Sequence, residues 1–262
     1  MSALDELIAM TRTAFEQRRR STTDEELEHA KAERLRTDPI RPFRDALKAP
    51  GLTLIAEHKR RSPSAGVIRD GLPLEQVVSA YERGGAGALS ILTEESRFGG
   101  SLADLRAARA ATRLPILRKD FVIDSFQLHE SLAAGSDAVL LIVAALTPEQ
   151  LEALHEEATA LGLDALVEVH DRDELEAACA AGATLIGINN RSLASLEVDV
   201  RRTFELLPHI PSGAAVVAES GFSRRQELER LARENVDAVL IGEALMRASD
   251  IEAACRELFT ST

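Results

Sequence analysis

The sequence predicts an α/β protein, a (β/α)8 TIM barrel with an N-terminal helical extension, on three observations. Eight short apolar, β-branched runs recur along the 262 residues. Amphipathic stretches with helix-start residues separate them, and several of these stretches end in glycine just before the next run. Strands that are apolar along nearly their whole length need cover on both faces, which a parallel sheet wrapped by helices supplies. An open doubly wound sheet would carry a glycine-rich fingerprint after its first strand; here the first run leads into Glu57-His58-Lys59-Arg60-Arg61-Ser62-Pro63-Ser64 instead. A chain of this length fits one barrel, so residues 1–262 are expected to form a single domain of which 1–50 are the extension.

The extension comes first. Leu4 to Phe15, and again the stretch around Glu25 to Leu35, carry helical periodicity, with Arg18-Arg19-Arg20 expected as a solvated face. The strands are then expected at Leu52 to Ala56, Ala88 to Leu92, Leu114 to Leu117, Ala138 to Val143, Ala165 to Val169, Leu185 to Ile188, Ala215 to Ala218 and Ala238 to Ile241. Thr147-Pro148-Glu149-Gln150 and Ser223-Arg224-Arg225-Gln226 match the capping-box pattern, and Asp171 to Glu174 resembles it with Asp as the cap. Gly84-Gly85-Ala86-Gly87-Ala88, Ala134-Gly135-Ser136-Asp137-Ala138 and Ala181-Gly182-Ala183-Thr184 repeat a glycine cap, a tight turn and a buried strand.

A net charge of -12 argues against a nucleic-acid partner, whose phosphates need a basic excess. It leaves room for a small anionic, phosphorylated substrate held by a few local donors. The longest apolar run, Ala138 to Leu146, is far shorter than the roughly 18 residues of a membrane span. The start of the chain, with Asp5 and Glu6 early, lacks the pattern of a signal peptide, so a cytoplasmic location is expected. Cys179 and Cys255 have no partner at metal-ligand spacing and read as packed, reduced thiols; the six histidines form no cluster. No metal and no cofactor are expected. The sequence leaves the oligomeric state open and is compatible with a monomer.

Only four of the thirty-one basic residues are lysine, and two of them, Lys59 and Lys119, stand at the ends of strand-like runs. Arginine keeps its charge at any working pH, whereas an ammonium can give up and regain a proton. Active sites of such barrels lie at the C-terminal ends of the strands, so strand-end residues of inward parity are the candidates. Glu57 and Lys59 are two apart and share a face, and Lys119 shares one with Pro115 and Leu117. Glu168 interrupts Ala165-Leu166-Val167-Glu168-Val169, where a carboxylate is costly unless paired or working; His170 could share its face but reads better as structural, next to a helix cap. Asn189-Asn190-Arg191 offers amides and a guanidinium fork suited to a carboxylate or phosphate. Glu219-Ser220-Gly221 and Gly242-Glu243-Ala244 each lead into a helix after the last two strands, where barrels hold phosphate on backbone N–H groups.

These motifs resemble indole-3-glycerol phosphate synthase. The resemblance rests on Ile55-Ala56-Glu57-His58-Lys59-Arg60-Arg61-Ser62-Pro63-Ser64-Ala65-Gly66, Phe98-Gly99-Gly100-Ser101, Leu117-Arg118-Lys119-Asp120-Phe121, Leu166-Val167-Glu168-Val169-His170, Ile188-Asn189-Asn190-Arg191 and Ala218-Glu219-Ser220-Gly221, one motif per strand end and in order. It implies a lyase of tryptophan biosynthesis that converts 1-(2-carboxyphenylamino)-1-deoxyribulose 5-phosphate into indole-3-glycerol phosphate, carbon dioxide and water without metal or organic cofactor. It implies Lys119 as the general acid on the substrate ketone, Glu168 as base or cation-stabilising carboxylate, and Lys59, partnered by Glu57, as a second acid. Asn189 and Arg191 would position the carboxylate and hydroxyls, Phe98 and Phe121 would wall the aromatic ring, and Arg61, Ser220, Gly221 and Gly242, next to Glu243, would hold the phosphate. Ser62 and Glu219 match pocket positions. Phe126 stands where a tyrosine is common, and His58 varies an outward position. Phosphoribosylanthranilate isomerase, a rival barrel, would want cysteine and aspartate where Glu57 and Glu168 stand. A barrel that merely bound a sugar phosphate should have lost some of Lys59, Lys119 and Glu168.

Overall fold

The computed structural model describes residues 3–193 and 195–259. Strands β1 (Thr53–His58), β2 (Ala88–Leu92), β3 (Ile116–Lys119), β4 (Ala138–Ile142), β5 (Asp164–Val169), β6 (Leu185–Asn189), β7 (Ala215–Glu219) and β8 (Ala238–Ile241) form a closed parallel barrel in which β1 pairs with both β2 and β8. Between and after them run α4 (Leu74–Arg83), α5 (Leu102–Ala111), α6 (Ser125–Ala134), α7 (Pro148–Ala160), α8 (Arg172–Ala180), α9 (Arg201–Leu206), α10 (Arg225–Arg233), α11 (Glu243–Arg247) and α12 (Ile251–Phe259). The fold is that of a TIM barrel.

Strand alternation sorts the core into two layers. Leu54, Ala56, Val139, Leu141, Val167 and Val169 face outward onto the helices, while Ile55, Leu117, Leu140, Leu166, Val217 and Leu240 fill the barrel. The strand ends differ from the apolar runs in one systematic way. β1, β3, β6 and β7 continue through Glu57-His58, Arg118-Lys119, Asn189 and Glu219, because ladder pairing persists past the last apolar residue. The rim of the barrel is thus rigid strand, and the polar residues on it inherit the strand's alternation.

The capping box at Thr147 and Gln150 forms, with Thr147 N–H donating to Gln150 Oε1 at 3.0 Å and Gln150 N–H to Thr147 Oγ1 at 3.3 Å. The box expected at Ser223 and Gln226 is displaced by one residue. Glu227, not Gln226, reaches back to the N–H groups of Ser223 and Arg224 at 3.0 and 2.9 Å. Glycine after the helix adopts the left-handed conformation where expected, as at Gly135 (φ 100).

Three helices precede β1: α1 (Ala3–Ser21), α2 (Asp24–Thr37) and α3 (Phe43–Leu47). The third was not anticipated. Phe43 and Leu47 are fully buried in the cluster that contains Ile55, Ala88 and Leu185, so α3 plugs the N-terminal end of the barrel; each such side chain contributes about 2 to 3 kcal/mol of apolar burial. α2 lies against α6, and Arg34 Nη2 and Arg109 Nη1 meet the fully buried Asp137 carboxylate at 3.2 and 2.6 Å. The reading of Arg18-Arg19-Arg20 as a solvated face needs correction at Arg18. Its Nε and Nη2 donate to the two oxygens of Glu130 at 2.6 and 3.1 Å, a forked pair that docks α1 on α6. Arg19 and Arg20 stay exposed.

Candidate active site

At the C-terminal ends of the strands opens a cavity of about 690 Å³, within the usual size of small-molecule sites. Lys119, at the end of β3, lines it. Its Nζ donates to Glu168 Oε2 on β5 at 2.7 Å and to Glu219 Oε2 on β7 at 2.6 Å. Burial opposes the ammonium's charge, but Glu168, Glu219 and Glu57 outweigh it, so Lys119 holds its proton more tightly than an ordinary lysine. Lys59, just past β1, sits with Nζ 2.6 Å from Glu57 Oε1.

The two carboxylates on Lys119 are not equivalent. Both are buried, and one ammonium cannot compensate two adjacent negative charges equally. Burial works against ionising Glu168, but Lys119, His170 and a hydrogen bond from Asn189 together hold its pKa below the ordinary value. The Asn189 side-chain oxygen Oδ1 accepts the Arg191 N–H at 3.0 Å, which leaves its side-chain NH2 for Glu168. Glu219 shares Lys119, yet burial and the charges of Glu168 and Glu57 push it up to about 7. The arrangement holds one standing carboxylate and one poised to change state near neutrality.

Ser62, Phe98, Phe121, Arg191, Ser220, Gly221, Gly242 and Glu243 also line the cavity. Arg61 does not. The hairpin formed by Arg61-Ser62 and Gly66-Val67 turns Ser62 inward and Arg61 outward, by the alternation of an extended chain, and the exposed Arg61 guanidinium rests over Gly99. On the wall beside Gly242 stands Arg247 of α11, its Nε 3.0 Å from Glu243 Oε1. Gly242 also differs from the simple expectation of room for an anion. A Cβ there would lie 2.4 Å from Glu57 Oε1, so the missing side chain is what admits the Glu57 carboxylate.

Several residues of the site escaped the sequence reading. Gly187 on β6 does for Glu219 what Gly242 does for Glu57: a Cβ would lie 2.2 Å from Glu219 Oε1. Its signal was a lone glycine at inward parity in an apolar strand, where something else needs the space. Glu94, buried just after β2, accepts the N–H groups of Arg97 and Phe98 at 2.7 and 2.9 Å and so fixes the loop that carries Phe98. Asn190, fully buried, donates to the carbonyls of Glu219 and Ser220 and accepts from Thr203, tying β6, β7 and α9 together. Leu4 and Leu7 of α1 line the mouth; their periodicity announced a helix but not its destination. Among the described residues, no three His, Cys, Asp or Glu side chains come together in a way that could hold a metal ion, and no helix is long and apolar enough to cross a membrane.

Solved structures share the fold at low identity. 3-Hexulose-6-phosphate synthase from Salmonella typhimurium aligns with TM-score 0.62 and 16% identity over 79% of this chain and 96% of that one. Thiamine phosphate pyrophosphorylase from Pyrococcus furiosus aligns with TM-score 0.59 and 19% identity over 82% and 95%. Sequence relatives are far nearer. Indole-3-glycerol phosphate synthase of Nocardioides sp. is 46% identical over 258 residues, 98% of both chains, and that of Syntrophobacter fumaroxidans is 42% identical over 259 residues, 98% of this chain and 97% of the relative. The profile of the indole-3-glycerol phosphate synthase family matches residues 4–258. With that match over nearly the whole length, and with such relatives, the chain belongs to the indole-3-glycerol phosphate synthase family.

Proposed function

We propose that the chain closes, decarboxylates and dehydrates 1-(2-carboxyphenylamino)-1-deoxyribulose 5-phosphate with its own side chains as acids and bases. The observation that carries the assignment of roles is the Glu168–Lys119–Glu219 triplet at 2.7 and 2.6 Å beneath a cavity walled by Phe98 and Phe121. In ring closure the aromatic carbon bearing the carboxylate attacks the ketone carbon, and Lys119 gives its proton to the ketone oxygen. Positive charge then develops on the substrate nitrogen. As Glu168 turns to that charge its hold on Lys119 weakens, and the ammonium becomes a stronger acid at the moment the oxygen needs the proton.

Loss of carbon dioxide restores the aromatic ring. Lys59, steadied by Glu57, protonates the departing hydroxyl, and a carboxylate takes the last proton. Glu219, with a pKa near 7, is suited to either state in that step. Asn189 and Arg191 hold the substrate carboxylate and hydroxyls. Phosphate lies by the turn at Ser220 and Gly221 and by Gly242-Glu243, with Arg247 as its cation in place of the outward Arg61. No membrane or nucleic-acid partner enters this chemistry, and it fits a cytoplasmic enzyme. Pure protein incubated with the ribulose phosphate in EDTA-containing buffer should develop indole fluorescence with one carbon dioxide per product; absence of product from folded protein would refute the reading.

A further inference from the structure

Behind Glu168 stands a second ionisable pair that the roles above leave unused. His170 follows Glu168 by two residues on the same face, with its side chain 10% exposed. Its Nδ1 lies 3.0 Å from Glu174 Oε2, an oxygen that also accepts the His170 backbone N–H at 2.7 Å. Glu174 is itself fixed in the first turn of α8, where Asp171 accepts its N–H at 2.9 Å. One ring nitrogen is therefore anchored and the other is aimed. Nε2, buried and with no hydrogen bond of its own, faces Glu168 Oε1 across 3.5 Å.

A neutral ring that donated from Nδ1 would present a lone pair to that carboxylate, whereas a protonated ring presents N–H to both of its carboxylates. The charged groups around the ring are Glu174 on α8, Glu168 on β5 and Glu219 on β7, the last two shared with Lys119 on β3. Burial disfavours the imidazolium, but these carboxylates outweigh it and the pKa of His170 rises.

We propose that His170 is a positioning residue for Glu168, aimed by Glu174 so that Glu168 has a donor facing Oε1 while Oε2 leaves Lys119 for the substrate cation. The proposal rests on Glu168 acting in the reaction as described above. Without His170, Glu168 would keep only the neutral Asn189 amide at the step where its orientation matters most, and a buried carboxylate left with one neutral donor would seek a proton or swing away.

The test uses the conservative pair His170→Asn and His170→Gln. Asparagine keeps an amide near the Nδ1 position for Glu174 but cannot reach Glu168; glutamine carries its amide to the Nε2 position. His170→Asn should lower kcat about tenfold with KM within about twofold. The acidic limb of its kcat–pH profile should move to higher pH, because a carboxylate without a cationic neighbour protonates more easily. His170→Gln should recover most of kcat. In a Glu168→Gln background His170→Asn should cost less than about twofold, since the group it serves is gone. A fully active Glu168→Gln would overturn the role of Glu168 and this proposal together. An impaired Glu168→Gln beside a His170→Asn enzyme of wild-type kcat and pH profile would overturn the proposal alone. So would an equal loss from His170→Asn in both backgrounds, or a loss in kcat that accompanies a lower thermal midpoint with the acidic limb unmoved, since a structural role gives those results.

Discussion

Lys119 sits at 2.7 and 2.6 Å from Glu168 and Glu219, and an arginine in its place would keep both pairs and the positive charge. What it could not do is deliver a proton. Lys119→Arg should therefore lower kcat by about 100- to 10,000-fold with a thermal midpoint near that of the parent; near-normal turnover in the folded variant would end the general-acid assignment. The carboxylates depend on what is missing opposite them. Gly187 leaves the space that Glu219 Oε1 fills, since a Cβ there would stand 2.2 Å away. Gly187→Ala must displace that carboxylate or its own strand, at about 1 to 3 kcal/mol of overpacking. The expected result is a fall in kcat of about tenfold or more, with the limb near neutrality in the pH profile shifted. A wild-type profile would mean that Glu219 moves freely and does not act in the reaction.

At the scale of elements, apolar runs and helix caps made the barrel legible, because eight similar units repeat the same physical problem of burying a strand on both faces. The rim residues were legible as types and as parity, and Lys59, Lys119 and Glu168 do converge on one cavity. Legibility ended where a residue's destination depends on another element. Nothing local to Phe43-Arg44-Asp45-Ala46-Leu47 says that a five-residue helix will close the barrel floor. Parity within a two-residue hairpin decided that Ser62, not Arg61, turns inward. The clearest case is Arg18, which looked like solvated charge but begins a buried line. It meets Glu130, Glu130 meets the fully buried Arg118 at 3.1 Å, and Arg118 meets Asp120 at 2.8 Å beside Lys119. Positive and negative groups alternate along that line, so no charge in it is left without an opposite neighbour. Arg18 stands well along α1 from the cavity that Leu4 and Leu7 line. If the forked pair with Glu130 docks the helix as a unit, Arg18→Ala should raise KM about threefold to tenfold and leave kcat within about twofold, since it removes binding common to ground and transition state. An unchanged KM would show that the mouth of the cavity is held by its own contacts.

For the whole molecule, acid raises two opposing demands that net charge alone does not reveal. A charge of -12 and a pI near 5.1 suggest that stability should improve on acidification, as self-repulsion fades. His58 contradicts this. It is buried on the outward face of β1, and burial first, then Arg60, push its pKa down to about 4. Between that value and the ordinary 6.5 the unfolded chain binds the proton and the folded chain does not, so the contribution of His58 is lost as pH falls through this window, by about 2 kcal/mol between about pH 7.5 and about pH 5. Glu219 acts in the other direction. With its pKa raised to about 7 against an ordinary 4.5, the folded state binds the proton first, and stability lost to that buried charge at high pH returns as pH falls, by a similar amount. The two shifts oppose each other, so neither dominates the response of the wild type as one of them alone would. Each variant should expose the other half: Glu219→Gln should lose stability toward about pH 5 more steeply than the wild type, and His58→Gln should gain it, so that the two curves diverge by about 4 kcal/mol across the window. Parallel curves for all three proteins would show that neither group changes its proton affinity on folding in the direction its surroundings dictate.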